Sequence, residues 1–342
     1  MLGGGRATNF ELLRIVAIVM VMIVHANYGA FGAPTHVDAV SHPVASFLRV
    51  FLQQISVVCV NLFILISGYF SIRPKLKSVL NFLFLVLFWR MIGLCISVCA
   101  GDMELTATNV VHAVNPMRIW FIREYLTLML FAPFINAFCE ECTIRQLYWF
   151  TCFYLVLIVI GDHLLPLKEW GLFVGGYSFF AFVGLYLIGR VLNRVRPQFC
   201  HVDSYWYFIA FAGLCLFASV LLWCGYRYIG AQFVLSRIEW SLQTYSSPLV
   251  IVSSVLLFLG FAEICLTSSI VNRIALSVFA VFLAHCPAFY VKTIRGIAAY
   301  EKSSLVSLCK IVAFMVMIFA VAVVIDQIRI FVWKLVARKA FR

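Results

Sequence analysis

The sequence predicts an all-α bundle of about ten membrane-spanning helices, with both termini in the cytoplasm. Composition and the length of the apolar runs predict it. Hydrophobic residues fill 64% of the 342 positions and charged residues only 12%, whereas a soluble domain is about half apolar and a quarter charged. Mean hydropathy is +1.03. Apolar runs of about 20 residues, the length that crosses a bilayer core, recur from end to end. No repeat, low-complexity tract or long linker divides them, so residues 1–342 read as one transmembrane domain without a soluble second one.

The charge balance narrows the partners. A net charge of +12 would suit nucleic acid, but no basic aromatic platform accompanies it. Basic flanks of membrane helices account for it, and no nucleic-acid partner is expected. Most of the twelve cysteines lie in apolar runs, where a free thiol behaves as a small hydrophobe. Cys139 and Cys142 form a C-x-x-C with no second pair or nearby His, so no metal site is expected.

The expected spans are 10–31, 45–70, 79–100, 118–138, 147–165, 171–191, 205–226, 246–266, 272–292 and 305–333. An even number returns the C-terminus to the side on which the chain began. Arg73, Lys75, Lys77, Arg190, Arg194 and Arg329 then face the cytoplasm, as the positive-inside bias requires. Lys292, Arg295 and Lys302 run against that bias, because the same order puts them outside.

The first span carries ionisable residues that simple insertion does not need. Glu11, Arg14 and His25 interrupt an otherwise aliphatic helix. At about 100° per residue, Arg14 and His25 fall within roughly 20° of each other, and Glu11 within about 60° of Arg14. The three therefore make one polar stripe, about 16 Å long from Arg14 to His25. Such groups inside a span usually face the bundle interior and mark function. The alternative is that Arg14 snorkels to headgroups and His25 sits at the far interface.

The second span ends in Ser67-Gly68-Tyr69, small residues that admit another helix or a ligand, and Pro74 then stops the helix. Arg73, Lys75 and Lys77 are either topology signals or a cradle for phosphates. Arg90, near the centre of the third span, costs about 2.5–3.5 kcal/mol to insert and needs a partner, for which Glu124, Glu263 and the tyrosines are candidates. In the fourth span Arg123 and Glu124 point about 100° apart, beside Trp120 and Tyr125, which suit an interfacial belt. His285 closes the ninth-span segment Ser277–His285, either as a packed residue or as part of a site. His36, His42, His112, His163 and His201 fall in expected loops and receive no role.

These residues, in this order, resemble acyltransferase family 3, the integral-membrane acyltransferases that modify bacterial surface glycans. Glu11-Leu-Leu-Arg14-Ile-Val-Ala followed by His25 resembles its opening signature. Ser67-Gly68-Tyr69 with the basic run resembles its second element, and Trp120-Phe121…Tyr125…Pro133…Asn136 its fourth helix. Gly184…Gly189-Arg190 and Ser277…Phe279…Phe282…His285 resemble later elements, with Phe282 where the family has Tyr. The resemblance implies an O-acyltransferase, most often an acetyltransferase, in the bacterial inner membrane. Acetyl-CoA or another acyl-CoA is its co-substrate, and no cofactor stays bound. The acceptor it implies is a hydroxyl of a lipid-linked oligosaccharide, O-antigen or capsule, reached within membrane lipid.

The expected roles follow from acyl-transfer chemistry. His25 is base or acyl relay, with Arg14 and Glu11 beside it. Arg73, Lys75, Lys77, Ser67 and Tyr69 take the donor. Trp120, Arg123, Glu124, Tyr125, Arg90 and His285 serve the acceptor or support the site. A transporter or flippase for a lipid-linked sugar, with Arg14, Arg90 and His25 along its path, is the rival, and the matching broken helices that a transporter shows in its two halves are not apparent.

Overall fold

The computed structural model describes residues 7–164, 172, 174–199, 202–229, 231–285, 287–301 and 304–340. Among them are helices and turns but no strand. The helices are α1 (Thr8–Val24), α2 (His36–Ser41), α3 (Pro43–Ser56), α4 (Cys59–Phe70), α5 (Leu76–Cys99), α6 (Ala107–Val114), α7 (Trp120–Glu141) and α8 (Ile144–Val159). The second half adds α9 (Phe179–Phe199), α10 (Ser204–Tyr228), α11 (Gln232–Gln243), α12 (Pro248–Ala262), α13 (Ser269–Ala275), α14 (Val278–Ala284), α15 (Pro287–Tyr300) and α16 (Ser304–Ala340).

Eight of the described helical segments are long and apolar enough to cross a membrane, and one bent pair makes a ninth. The count is thus lower than the sequence suggests, for two physical reasons. The expected span at 272–292 is broken: α14 and Phe289–Tyr300 meet at 65°, so most of the expected loop at 292–304 is helix. The expected span at 171–191 is displaced to α9, because Gly175 and Gly176 take φ of +65° and +86°, a conformation that holds off the helix. The shift draws Arg190 and Arg194 into α9 and lowers its apolar content. Lys168, His201 and Lys302 lie outside the described residues.

The core forms around α4. Its mean position is set by two glycines that let backbones touch. A Cβ on Gly68 would stand 2.2 Å from the Tyr186 carbonyl oxygen, and one on Gly189 would stand 2.5 Å from that of Leu65. The small residues of Ser67-Gly68-Tyr69 thus serve the crossing with α9. Helix α4 stops at Ser71, whose φ is +58°. Its last groups are satisfied from other helices: Tyr186 Oη accepts from Ile72 N (2.9 Å) and donates to Asn136 Oδ1 (2.8 Å), while Asn136 Nδ2 donates to Ile72 O (2.9 Å). Arg190 donates to Ser71 Oγ. Arg194 donates to the carbonyls of Cys139 (2.9 Å) and Cys142 (2.7 Å), ending α7. These two arginines therefore serve as helix-end donors, Arg190 at the Ser71 end of α4 and Arg194 at the end of α7.

Helix ends sort into two sides. Phe10 at the start of α1 packs on Tyr69 (5.0 Å) and Phe70 (5.1 Å) at the end of α4. Asn9 Nδ2 donates to the last carbonyls of α12, at Phe261 (3.0 Å) and Ala262 (3.2 Å). Toward the end of α16, Trp333 stacks on Phe84 at 5.6 Å in the first half of α5, which directly follows the basic run. The start of α1, the Trp333 region of α16 and Arg73 consequently lie toward one end of the bundle. Arg329, expected as a surface cation, is 2% exposed and pairs with Asp326 at 2.5 Å.

Candidate active site

Helix α1 delivers His25 through an irregular turn. After Val24 the helix loosens into a π-helical segment, His25–Gly29, a distortion that often marks function. There His25 Nδ1 lies 2.9 Å from Val21 O and 3.3 Å from His285 Nε2. The two rings stand 5.0 Å apart between centroids. His285, 1% exposed, ends α14 and sets its own Nδ1 3.1 Å from Val281 O.

These partners assign the tautomers of neutral rings. A carbonyl oxygen only accepts, so His285 carries its proton on Nδ1 and keeps a lone pair on Nε2. His25 Nδ1 then faces two acceptors and must hold the proton. The remaining nitrogen, His25 Nε2, is left as the basic one. The pair is a chain of donors, with His285 fixing the orientation of His25 as a carboxylate does in other acid–base sites.

The pair lines a cavity of about 590 Å³. Trp89 and Arg90 of α5, His112 at the end of α6, and Arg118 before α7 enclose it. An aromatic wall completes it. Trp120 lies 4.5 Å from Tyr177 and 6.1 Å from Tyr245, the latter nearly parallel at 21°. Asp162 sets that wall: its Oδ1 accepts from Gly175 N at 2.9 Å, its Oδ2 accepts from Ser246 Oγ, and Gly175 O accepts from Tyr245 N at 3.0 Å. Trp89 is oriented from behind, its indole N–H donating to Asp326 at 3.4 Å.

The structure divides the residues that the sequence joins. His25, His285, Arg90 and Trp120 meet at the cavity. Glu11 and Arg14 do not: they pair with each other at 2.7 Å, a full 11 residues or about 16 Å from His25. The single polar stripe is thus divided between a local ion pair, Glu11–Arg14, and a long-range pair, His25 with His285. Arg90 reaches the end of α6. It donates Nε to Ala113 O (2.8 Å) and Nη2 to His112 O (2.6 Å). Glu124 instead bonds Arg123 Nε at 2.7 Å and accepts from Phe179 N at 2.9 Å. Neighbouring side chains that start about 100° apart meet because Arg123 is long enough to fold back.

Ser67 Oγ lies 3.1 Å from Tyr125 Oη, inside the bundle between the two ends. Tyr69 is 7% exposed among Phe10, Phe70 and Phe258, an environment of packing. Arg73 is exposed and pairs with Glu140 at 3.3 Å. Lys75 and Lys77 are exposed beside it. This basic group lies by Phe10, some fifteen residues or about 22 Å along α1 from His25. Sequence reasoning missed His112, Arg118, Tyr177 and Tyr245. All lie in loops or at helix ends, where periodicity carries no signal.

A multi-pass helical membrane protein with a paired-histidine cavity between its helices is the class that fold and site define. Residues 8–327 match the family model described as an acyltransferase domain, and the chain belongs to that acyltransferase 3 family. It is an acyltransferase. No curated protein and no solved structure matches the chain.

Proposed function

We propose that the chain is an O-acyltransferase of the bacterial inner membrane. It moves an acyl group, acetyl above all, from cytoplasmic acyl-CoA to a hydroxyl of a lipid-linked oligosaccharide or surface polysaccharide. The observation that carries this reading is the His25–His285 pair in the cavity wall, with His25 Nε2 as its basic atom.

The chemistry balances at that atom. His25 Nε2 takes the proton of the acceptor hydroxyl as its oxygen attacks the thioester carbonyl. Positive charge from the cavity arginines stabilises the oxyanion. The intermediate expels the CoA thiolate, which receives the proton back from the His25 imidazolium. While His25 is charged, His285 Nε2 accepts from its Nδ1–H and holds the ring in place. The donor's phosphates bind at Arg73, Lys75 and Lys77, on the end of the bundle where α1 begins, which faces the cytoplasm. Its thin pantetheine arm passes Ser67 and Tyr125 toward the histidines. If His25 Nε2 attacks the thioester itself, an acyl-imidazole forms first, and acyl label trapped on the protein without acceptor distinguishes that order.

Membranes containing the chain, incubated with radiolabelled acetyl-CoA and extracted glycan, test the proposal. Label is expected in the glycan and absent from it with His25→Ala at equal accumulation. Unlabelled glycan with wild-type protein, or wild-type labelling with His25→Ala, overturns it.

A further inference from the structure

We propose that Trp120, Tyr177 and Tyr245 form a stacking subsite for a pyranose ring of the acceptor, set by Asp162 as a buried positioning residue. The inference rests on the O-acyltransferase reading for the ligand class, a sugar. It adds where that sugar is held, and by which face.

The three rings come from separate stretches of chain. Trp120 opens α7, Tyr177 follows Gly175 and Gly176, and Tyr245 lies between α11 and α12. All three line the cavity of about 590 Å³ that His25 and His285 also line, a volume within the range of small-ligand sites. Trp120 is held by aromatic neighbours, with Tyr177 at 4.5 Å, Phe121 at 5.8 Å and Phe182 at 6.2 Å between centroids. Tyr177, although packed on Trp120 and Tyr245, keeps 43% of its surface exposed. A pyranose ring carries axial C–H bonds on its faces and equatorial hydroxyls around its rim. Its face suits the electron-rich face of an aromatic ring, while the rim needs a few placed polar groups. His112 and Arg118, joined by a bond of 2.9 Å from Arg118 Nη2 to His112 Nε2, supply polar groups in the same cavity.

The way this wall is held sets it apart from ordinary aromatic packing. Asp162, 2% exposed just beyond α8, joins the two loops that carry the tyrosines. Its Oδ1 accepts from Gly175 N at 2.9 Å and its Oδ2 from Ser246 Oγ. His163 Nε2 lies 4.0 Å from that Oδ2 and 3.5 Å from Ser246 Oγ. Gly175 O then accepts from Tyr245 N at 3.0 Å, which closes a ring of bonds between the loops. The backbone there is strained: β-branched Val174 is held at φ +38°, a conformation that persists only where its surroundings over-determine it. A Cβ on Gly176 would stand 2.5 Å from Tyr245 Cβ, so the backbone before Tyr177 touches the second tyrosine. Apolar packing would join two loops at less cost than a buried carboxylate. A carboxylate with both oxygens bonded fixes direction instead, and the direction fixed here turns Tyr177 and Tyr245 toward Trp120 and the cavity.

The test uses the full chain in phosphatidylcholine nanodiscs. Saturation-transfer NMR with methyl β-glucopyranoside and methyl β-galactopyranoside reads which ring protons touch the protein, and sorbitol is the open-chain control. Wild type should transfer saturation to the C–H protons of one ring face of at least one glycoside, and not to sorbitol. Trp120→Leu should weaken that binding about tenfold, the upper worth of one aromatic pair. Asp162→Ala should raise the Michaelis constant for extracted glycan by about tenfold as well, change turnover less and leave the acyl-CoA constant unchanged. Asp162→Asn, whose amide oxygen still accepts from Gly175 N, should restore part of the loss. Ser246→Ala added to Asp162→Ala should cost nothing more, since the two act through one bond. If Asp162→Ala does not accumulate, Tyr177→Leu, at an exposed position, carries the same expectation for the glycan constant. Absence of saturation transfer to both glycosides in wild type overturns the inference, as does transfer unchanged in Trp120→Leu. So does a loss in Asp162→Ala that is confined to turnover or shared by the acyl-CoA constant. Glycoside binding through Trp120 without acyl transfer to extracted glycan would fell the O-acyltransferase reading and leave the subsite standing. Acyl transfer without the ring-face contact would do the reverse.

Discussion

At the residue scale, the functional question turns on single hydrogen bonds. His285 does not touch the cavity's reacting atoms in this scheme; it acts through His25. His285→Ala should therefore lower turnover by about 10–100-fold, a part of the 10²–10⁴ that a positioned base supplies. The Michaelis constants for donor and acceptor should barely move, and His285→Gln, which can still accept from His25 Nδ1–H, should recover part of the loss. A change confined to the Michaelis constants would place His285 in substrate binding instead. Arg14 poses a different test. Its pair with Glu11 uses Nη1 alone, which leaves the rest of the guanidinium fork to an anion. Arg14→Lys keeps the charge but not the fork, so protein at normal levels with reduced acyl transfer is expected. Full activity in that variant would leave Arg14 with the ion pair only.

At the scale of elements, two features hold the site in place. The α4–α9 crossing depends on bare backbone at Gly68 and Gly189. Gly68→Ala would bring a carbon into the Tyr186 carbonyl, and backbone cannot yield as a side-chain tip does. Overpacking of this kind costs about 1–3 kcal/mol. A lower unfolding temperature in detergent is expected, against little change for Gly213→Ala, where a Cβ meets open space. The second feature is the Asp326–Arg329 pair of α16, which also anchors Trp89 and reaches Asn81 of α5. Removing one partner of a buried pair costs about 3–5 kcal/mol, because the other charge is stranded. Asp326→Asn should thus accumulate poorly, and Asp326→Asn with Arg329→Met should accumulate better than the single variant.

For the whole molecule, the two ends of the bundle carry different tasks. Exposed Lys75 and Lys77 lie far from the histidines, so Lys75→Gln with Lys77→Gln should raise the acyl-CoA Michaelis constant and change turnover less. The effect should fade at high salt, since screening acts over about 8–10 Å near physiological ionic strength. Cysteine accessibility on either side of the membrane must show native topology in that variant. With topology intact, an unchanged donor constant would reduce the basic run to a topology signal.

Much of this molecule is written locally. Membrane helices announce themselves by length and hydropathy, because each must satisfy its backbone bonds alone in hydrocarbon. The polar residues of α1 are equally visible, since an ionisable group in a span has no cheap explanation. The family motifs sit in order along the chain. What sequence could not decide was partnership. Arg14 and His25 share a helix face, yet Arg14 meets Glu11 next door while His25 meets His285, 260 positions away. Arg90 donates to two carbonyls of α6, a partnership that no local pattern announces. Arg190, Arg194 and Arg329, read from the sequence as topology charges, also donate hydrogen bonds that only the fold reveals. Periodicity fixes the direction in which a side chain leaves its own helix, but only the packing of helices against one another decides what it meets there. The acid–base pair, the aromatic wall and the two arginines on His112 all arise from that packing.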